Sequence, residues 1–499
     1  MYEVIQLRIM LINPSVPVYL RMPSLPLGLV SIASYLKAHG HTVRFVERLV
    51  IKEDLKSAVE DFRPEIIGVS ALSFLSSLDA KKITAELRKH TEVPIVWGGQ
   101  APSACPEMIL REAKPDYIII GEGELTWLEL VEKLENNQDI SGLEGLAYLR
   151  DGKFVCNPIR KVADLTTFPD MDWSFIEPER YLSSFFNCTR MFYLHASKGC
   201  PAACTFCSNK QFHQGCNRCR SIDQVMRDVT FLVKECGANG IYFSDELFCP
   251  RRDVRTDLCN RLIEADLDLV WGCQMRLGVL NEDDVKLMYK AGCRWILFGI
   301  ESGSPERIKK VKKSIDLSLA KRNVEWCEKA GITVQASFII GFPHESEKEL
   351  RMTLDLAKSM PASLIVMNIL TPMPNSEMLE EIKVDFPDYK VPDTIEKYAR
   401  KIEQTATDIV PYNFSDVPTK ELRVIHFYYQ WKDFSGKHSV NHDSYGIIKK
   451  MARDTVNRIF MHGLKGFVFG TFVSARQFLT VYYYSHFFPG IRKKYDLKL

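Results

Sequence analysis

Three cysteines, Cys200, Cys204 and Cys207, lie in one short segment that follows a predicted strand. Because they share one loop, all three thiols can turn towards a common centre. Thiolates are the usual ligands of iron–sulfur clusters, whereas zinc sites favour two Cys-x2-Cys halves that complete a tetrahedron of four ligands. The spacing therefore predicts an iron–sulfur cluster rather than a zinc loop or incidental cysteines, with one coordination position open for a substrate or cofactor.

A second close pair, Cys216 and Cys219, follows this loop. Either two further thiols complete an auxiliary metal site with this pair, or the pair consists of unligated thiols on a loop. The candidates for the two further ligands are Cys188, Cys249 and Cys273. Four other cysteines fall on helical or strand patterns and are predicted to lie in the core, where cysteine behaves as a small hydrophobe: Cys236, Cys259, Cys293 and Cys327.

The chain of 499 residues has 65 Lys and Arg against 63 Asp and Glu, a formal net charge of +2. This balance gives no general attraction to polyanions, so no nucleic-acid partner is predicted. The opening residues MYEVIQLRIMLINP contain no long apolar run that ends at a small-residue cleavage site, so no signal peptide is expected. The 14 cysteines are then expected in a reducing cytoplasm, where clustered cysteines indicate metal binding or catalysis.

The elements that must position these residues begin with an α/β domain over residues 1–137. Short apolar runs alternate there with helical patterns such as Leu29–His39 and Leu75–Lys89. This alternation predicts a doubly wound parallel sheet whose ligands bind beyond the carboxyl ends of the strands, where glycines permit close backbone approach. The predicted strands are Arg8–Asn13, Thr42–Glu47, Ile66–Ser70, Ile95–Gly99 and Tyr117–Gly121.

A second αβ series occupies residues 191–380, after a less periodic stretch at 138–190 that is predicted to be a linker. Its six βα units predict a partial (β/α)6 barrel with the site at the carboxyl ends of the strands. Together with residues 381–499, these divisions suit a chain of this length at about 100–200 residues per domain. The predicted barrel strands are Phe192–Ala196, Gly240–Phe243, Leu269–Met275, Trp295–Ile300, Thr333–Ile340 and Leu364–Leu370.

Residues 381–499 are predicted to form a mainly helical cap that contains an aromatic helix at Leu422–Phe434. The later stretch Gly466–Phe488 has the roughly 20 residues that a membrane span needs, but Arg476 and Gln477 interrupt it. Two interpretations remain open. The stretch is an interfacial segment with aromatic residues at the membrane boundary and cations near anionic headgroups, or it is a helix that packs on the barrel.

The cysteine triplet, with aromatic Phe206 immediately before its last cysteine, resembles the loop of the radical S-adenosylmethionine (SAM) superfamily. Each further matching segment has a simple alternative, such as a solvated turn or a helix cap, but their joint occurrence at successive strand ends favours the resemblance. These segments are Tyr242–Glu246, Gly299–Ser304, Ile339–Pro343 and Leu370–Ser376, the last with Pro374-Asn375-Ser376 where Pro-Gly-Thr is usual.

This resemblance implies that the triplet holds a [4Fe–4S] cluster and that the amino and carboxylate groups of SAM chelate its open iron. Electron transfer from the reduced cluster then cleaves SAM to methionine and a 5′-deoxyadenosyl radical. The resemblance places Asp245 and Glu246 at the methionine amino group, Glu301 at the ribose and Gly341 at the adenine. The other predicted SAM-binding residues are Phe206, Gln274, Arg276 and Ser302.

The first domain resembles the cobalamin-binding domains that are fused to radical enzymes. The matching segments are Asn13-Pro14, Pro26–Leu29, Trp97–Gln100 and Gly121–Glu124. The two resemblances together cover about residues 1–380 and imply the cobalamin-dependent radical class, which includes methylases of unactivated carbon and an anaerobic porphyrin-ring cyclase. The residues predicted to contact cobalamin are Asn13, Ser70, Gly98, Gly99, Gly121, Glu122 and Gly123.

One common cobalamin motif is absent, because residues 1–150 contain no Asp-x-His-x-x-Gly to supply a histidine to cobalt. His39 and His41 flank Gly40 at a predicted helix end and are interpreted as a polar turn. The lower face of a bound cobalamin is therefore not expected to carry a histidine from that motif. A domain that keeps the fold but binds nothing, or binds a substrate, is the alternative.

These features predict an enzyme that methylates an unactivated carbon of a hydrophobic small-molecule or lipid substrate. In this scheme the radical abstracts hydrogen and the carbon takes a methyl group from methylcobalamin, while the protein positions the reactants. The alternatives are radical carbon–carbon coupling or cyclisation of a lipid or porphyrin-like substrate, and a non-catalytic iron–sulfur or redox-sensing protein. A ferredoxin or flavodoxin is the expected electron donor, and the expected location is cytoplasmic, with peripheral contact at the inner face of the membrane under the interfacial interpretation.

Overall fold

The computed structural model describes residues 6–16, 24–185, 188–406, 412–434, 483–484 and 487–497. The chain forms two compact units, the first from residues 1–201, 208–239 and 390–402 and the second from residues 202–207, 240–389 and 403–499. The chain therefore passes between the units five times. The domain boundaries at 137, 190 and 380 rest on changes in the pattern of predicted strands and helices, and they stay predictions.

A seven-stranded sheet lies at the centre of the first unit. Its strands are β1 (Arg8–Asn13), β2 (Thr42–Glu47), β3 (Ile66–Ser70), β4 (Ile95–Gly98), β5 (Tyr117–Ile119), β6 (Leu146–Arg150) and β7 (Lys153–Cys156). Their order is β2–β1–β3–β4–β5–β6–β7, with the first five parallel and the last two antiparallel. All five predicted strands are present, and β6 and β7 show that part of the predicted linker extends the sheet.

Helices cover both faces of this sheet. They are α1 (Leu27–Ala38), α2 (Leu55–Phe62), α3 (Phe74–Leu87), α4 (Gln100–Ala104), α5 (Pro106–Ala113) and α6 (Glu124–Glu135). Alternate residues of β1 enter two separate cores, with Met10 and Ile12 in one and Ile9 and Leu11 in the other. Burial on both faces explains why these strands appear in the sequence as nearly continuous apolar runs.

The first unit also contains four strands and two helices that surround the start of the cysteine loop. They are β8 (Ser183–Phe185), β9 (Cys188–Leu194), β10 (Ser197–Lys198), α7 (Asn209–His213), β11 (Arg218–Cys219) and α8 (Ile222–Lys234). Strands β10 and β11 form a two-stranded antiparallel ribbon in which Lys198 lies opposite Arg218. Helix α8 begins at a capping box, because Ser221 and Gln224 each satisfy the other's backbone N–H.

The second unit contains five parallel strands in the order β12–β13–β14–β15–β16, each followed by at least one helix. The elements are β12 (Gly240–Phe243), α9 (Arg252–Glu264), β13 (Val270–Met275), α10 (Glu282–Lys290), β14 (Cys293–Glu301), α11 (Pro305–Lys310), α12 (Ala320–Ala330), β15 (Thr333–Ile340), α13 (Glu347–Ser359), β16 (Leu364–Ile369) and α14 (Glu377–Asp385). The predicted α/β class is confirmed, and the remaining predicted barrel strand corresponds to β9.

In the described residues that follow the βα series, the helices are α15 (Ile395–Ala406), α16 (Thr419–Phe434) and α17 (Pro489–Lys494). The aromatic helix predicted at Leu422–Phe434 is α16, which packs on β16 with the ring Nδ1 of His426 2.5 Å from the carbonyl oxygen of Met367. Most of the stretch Gly466–Phe488 lies outside the described residues. In the part of the chain that the structure describes, no helix is long and apolar enough to cross a membrane.

Candidate functional site

The cysteine loop is anchored in the second unit by its central residue. The N–H of Thr205 donates to the carbonyl of Val311 at 3.1 Å, and its own carbonyl accepts the N–H of Met378 at 2.9 Å. None of the 14 cysteines, all of them described, forms a disulfide. Within the described ranges no three His, Cys, Asp or Glu side chains are already gathered around a metal position. The fit to an iron–sulfur cluster rests on the chemistry of the donors, because Cys200, Cys204 and Cys207 supply three thiols from one loop.

A buried ion pair lies beside this loop. Oε1 of Glu301 is 2.6 Å from Nζ of Lys313, and that Nζ lies 5.9 Å from the centroid of the Phe206 ring. Burial alone lowers the pKa of Lys313, but the negative charges of Glu301 and Cys204 more than offset burial, so the pKa lies above its ordinary value. A cation is therefore held between a predicted ribose-binding acid and a predicted cluster ligand.

The backbone around Glu301 is shaped to form this pair. Glu301 ends β14 with a φ of 70°, and the register with β15 shifts between Gly299 and Glu301. Such a conformation in a residue with a Cβ costs about 1–3 kcal/mol and persists only where its surroundings fix it, which is common at functional sites. A Cβ at position 299 would lie 2.6 Å from Oε1 of Glu301 and 3.0 Å from Nζ of Lys313. Glycine at 299 therefore leaves room for the pair.

Arg276 joins the same cluster of side chains, because its Nη2 donates to the carbonyls of Lys313, at 2.9 Å, and Ser314. The structure thus places Phe206 and Arg276 next to the ion pair of Glu301 and Lys313. Gln274 is half-buried on β13, Asp245 is buried after β12 and Glu246 is half-buried. These strand-end positions are compatible with the predicted SAM contacts, which stay predictions.

Two predicted SAM-binding residues have structural partners of their own. The hydroxyl of fully buried Ser302 lies 3.1 Å from Oγ1 of Thr353 and accepts the N–H of Ser304 at 3.1 Å. Gly341 has a φ of 81° and donates its N–H to Oε2 of Glu345 at 2.6 Å. Ser302 therefore ties β14 to α13, and Gly341 supplies a left-handed turn where β15 ends.

Two glycines of the first unit, one at the carboxyl end of β4 and one at the start of α1, leave backbone open. A Cβ built on Gly98, or on Gly28 at the start of α1, would meet no atom within 4 Å. Gly99 has a φ of 113°, and a Cβ there would lie 2.7 Å from the carbonyl oxygen of Ala71, so the turn after β4 requires glycine. Open backbone at this edge of a parallel sheet fits a large flat ligand such as a corrin ring.

The remaining predicted cobalamin residues are placed differently. Ser70 is half-buried at the end of β3, whereas the amide nitrogen of Asn13 donates to Oε2 of Glu47 at 3.0 Å. Gly121 has a φ of 81°, and a Cβ on Gly123 would lie 3.0 Å from Cδ1 of Ile32. Protein groups thus surround Asn13 and Gly123, and these contacts with cobalamin stay predictions.

Glu122 is held by two protein partners. One carboxylate oxygen lies 2.7 Å from Nδ1 of His213, and the other lies 2.9 Å from Nη1 of Arg218. Burial alone raises the pKa of Glu122. The hydrogen bonds from His213 and Arg218 lower the pKa by more than burial raises it, and the resulting pKa is about 2. Next to it, Glu124 pairs with Lys198 at 2.9 Å.

Sequence reasoning missed Lys313, Lys198 and Arg218. Lys313 lies in the run Lys309–Lys313, which resembles an ordinary solvated stretch, and only the tertiary structure turns this one side chain inward. Lys198 lies two residues before Cys200, and this proximity to the triplet is the sequence signal that points to it. The second cysteine pair has its own neighbours, with Sγ of Cys216 3.6 Å from the carbonyl oxygen of Gln214.

Two parts of the chain match known protein families. Residues 20–131 match the B12 binding domain family and residues 194–357 match the radical SAM superfamily. An uncharacterized methyltransferase of Pyrococcus horikoshii is 29% identical over 362 residues, which are 71% of this chain and 78% of that protein. The anaerobic magnesium-protoporphyrin IX monomethyl ester cyclase of Rubrivivax gelatinosus is 27% identical over 379 residues, 73% of this chain and 68% of that protein.

A solved structure has the same overall fold. The radical SAM methyltransferase TsrM of Kitasatospora setae, with cobalamin and a [4Fe–4S] cluster bound, superposes with a TM-score of 0.66 at 19% identity and covers 76% of this chain and 78% of that one. The two family matches and the site geometry define an enzyme that combines a B12-binding domain with a radical SAM domain. The chain belongs to the radical SAM enzymes that carry a B12-binding domain.

Proposed function

We propose that this enzyme transfers a methyl group to an unactivated carbon of its substrate. The observation that carries the proposal is the presence, in one chain, of an open glycine surface in a B12-binding domain and of a three-thiolate loop in a radical SAM domain. When bound, the cluster supplies the electron that cleaves SAM to a 5′-deoxyadenosyl radical, and cobalamin carries the methyl group.

The residues of this chain would then hold and orient the reactants. Cys200, Cys204 and Cys207 would ligate the cluster, and Glu301 would present its carboxylate to the ribose while its ion pair with Lys313 holds it in place. Gly98 and Gly99 would leave the corrin ring room against the sheet edge. Two methyltransferases among the compared proteins support methyl transfer as the outcome.

A second candidate is radical cyclisation without methyl transfer, which the similarity to the porphyrin ester cyclase favours. That relative also supports a hydrophobic, porphyrin-like or lipid substrate. We further propose an acidic electron-transfer protein such as ferredoxin or flavodoxin as the reductant. A peripheral membrane contact is proposed only from the composition of the C-terminal stretch.

The test begins with anaerobic reconstitution of the full chain with iron, sulfide and hydroxocobalamin. After desalting, we expect about four irons and about one cobalamin per chain. The loaded enzyme then receives methyl-labelled SAM, a reductant and extracts of candidate hydrophobic substrates, and the products are measured by mass spectrometry. Cys204→Ala is the matched control, because it removes one thiolate from the triplet and leaves the first unit unchanged.

Three product patterns separate the possibilities. Both 5′-deoxyadenosine and S-adenosylhomocysteine, with label in an acceptor, would support methyl transfer. 5′-Deoxyadenosine alone from a cobalamin-loaded enzyme that consumes substrate would favour cyclisation. Four irons without retained cobalamin would contradict methyl transfer through cobalamin, and equal products from the wild type and Cys204→Ala would contradict radical chemistry altogether.

A further inference from the structure

Two cations lie side by side on the ribbon of β10 and β11. Lys198 and Arg218 are directly opposite each other in the antiparallel pairing, so their side chains leave the same face. Like charges in this position are destabilising. Each is matched by a carboxylate that follows β5, Lys198 by Glu124 at 2.9 Å and Arg218 by Glu122 at 2.9 Å.

These four side chains form a built cluster in the interior of the first unit. The exposed fractions are 3% for Glu124, 17% for Lys198, 10% for Glu122 and 14% for Arg218. Buried ion pairs are tolerated only when further hydrogen bonds satisfy the remaining polar atoms. The hydroxyl of Ser31 donates to Glu124 at 2.7 Å.

The same ribbon leads directly into the cysteine loop. Gly199 has a φ of 85°, and a Cβ there would lie 2.1 Å from the carbonyl oxygen of Cys216, so the chain segments that adjoin the two strands touch backbone to backbone. The amide of Asn217 donates to the carbonyl of Gly199 at 2.8 Å. Cys200 is the next residue, and two residues of extended chain span at most about 7 Å. The backbone that delivers Cys200 is therefore fixed to the ribbon.

We infer that Glu122 and Glu124 are positioning residues for the iron–sulfur cluster: through Arg218 and Lys198 they hold the ribbon that presents Cys200. This inference rests on the assignment of Cys200 as a cluster ligand in the proposed function. It gives Glu122 a different role from the cobalamin contact that the sequence predicted. The two carboxylates that follow β5 thus set the place of a cluster ligand within the same unit.

The cluster of charges also has an electrostatic consequence. Glu124 neutralises Lys198, whose charge lies within two residues of a ligand of the cluster. With glutamine at position 124, Lys198 loses its paired carboxylate and the four-residue cluster gains one net positive charge. A positive charge nearby stabilises the reduced, more negative form of an iron–sulfur cluster. The midpoint potential then rises. Removal of Lys198 as well returns the local charge to neutral and the potential towards that of the wild type.

The experiment compares full-length, reconstituted Glu124→Gln and Glu124→Gln/Lys198→Met with the wild type. Glu112→Gln is the matched control, because Glu112 is a half-buried carboxylate of the same unit that pairs with Lys81 at 2.6 Å. Three quantities are measured on each protein: bound iron, retained cobalamin, and the midpoint potential from an anaerobic redox titration followed by electron paramagnetic resonance. If the role of Glu124 were purely structural, Glu124→Gln would change the bound iron but would not raise the midpoint potential. The double variant would then have no rise in potential to reverse.

We expect Glu124→Gln to retain less iron, to keep wild-type cobalamin and to show a higher potential, while Glu112→Gln resembles the wild type. Should Glu124→Gln not accumulate, Glu122→Gln carries the same test, because Arg218 is then uncompensated. Loss of cobalamin with an unchanged potential would overturn the inference and make these acids cofactor contacts. A wild type that binds no cluster would instead contradict the proposed function, and it is recognised before any variant is compared.

Discussion

At the scale of single residues, the predicted SAM site contains an ion pair that lies directly beside a glycine. Glu301 and Lys313 occupy the space in which a side chain at position 299 would lie. The clashing atoms are the far ends of flexible side chains rather than backbone. A small substitution there is therefore expected to displace the pair without unfolding the strand.

Gly299→Ala tests this arrangement. We expect the affinity of the reconstituted enzyme for SAM to fall by about tenfold, equivalent to ~1.4 kcal/mol, while the melting temperature stays near that of the wild type. Gly142→Ala is the control, since its Cβ meets no atom within 4 Å. Calorimetric titration with SAM measures the effect, and an unchanged affinity in Gly299→Ala would show that the pair does not shape the site.

Glu122 predicts a dependence of stability on pH. Its pKa in the folded protein is about 2, against 4.5 for the unperturbed group. A lowered pKa means that the stabilisation is complete above pH 4.5 and is lost as pH falls towards 2, and the difference corresponds to about 3 kcal/mol. We expect Glu122→Gln to lower the free energy of unfolding of the apo protein at pH 7 and to differ little from the wild type near pH 2.

Urea unfolding at several pH values measures this difference. Glu107→Gln is the control, because Glu107 and its partner Arg111 are half exposed and exposed pairs contribute about 0–1 kcal/mol. A gap between Glu122→Gln and the wild type that stays constant from pH 7 to pH 2 would rule out ionisation as its cause.

At the scale of elements, α15 is the clearest case of a helix that serves a distant part of the chain. Its residues 395–402 belong to the first unit, where the ring of Tyr398 stacks on Phe74 with centroids 4.3 Å apart. The N–H of Ile395 donates to Glu112 at 2.8 Å, and Glu396 pairs with Lys81 at 3.0 Å. The helix covers α3 and α4, which follow β3 and β4.

Tyr398→Ala tests this docking. Loss of a buried aromatic ring typically costs about 3–5 kcal/mol, so we expect faster hydrogen exchange in α3 and α15 and a lower melting temperature. Tyr289→Ala, which removes a ring that is 38% exposed, is expected to change neither. Unaltered exchange in α15 of Tyr398→Ala would mean that the helix does not depend on the stack.

The sequence was sufficient for elements whose pattern is local. Strands such as β1 and β3 and helices such as α1 and α3 begin and end within two residues of the prediction, because buried parallel strands and their crossover helices leave distinct apolar periods. The pattern failed where partners are remote. Nothing near Tyr398 indicates Phe74, and nothing near Lys313 indicates Glu301, since both contacts depend on the tertiary structure. β6 and β7 were missed because they are short antiparallel strands in a stretch of weak apolar periodicity.

At the scale of the whole molecule, the residues predicted to bind cobalamin and those predicted to ligate the cluster are different, so loading of the two cofactors is expected to be separable. Gly98→Leu fills the open surface after β4 and should lower retained cobalamin about tenfold while bound iron stays near four. Cys204→Ala should do the opposite. Glu92→Leu places the same side chain at the amino end of β4 and serves as the control. Absorbance and metal analysis after desalting measure both quantities, and joint loss in either variant would show that the two sites are coupled.

The return of residues 390–402 to the first unit has a consequence for biosynthesis. The ribosome completes the sheet of that unit long before it makes α15, and about 260 residues must be added after α6 before Tyr398 can reach Phe74. At roughly 5–20 residues per second, the apolar surface around Phe74 stays uncovered for about 13–50 seconds on each nascent chain. A chaperone that binds this apolar surface could do so only during this interval. The interval ends when translation has passed residue 402 and α15 can cover the surface.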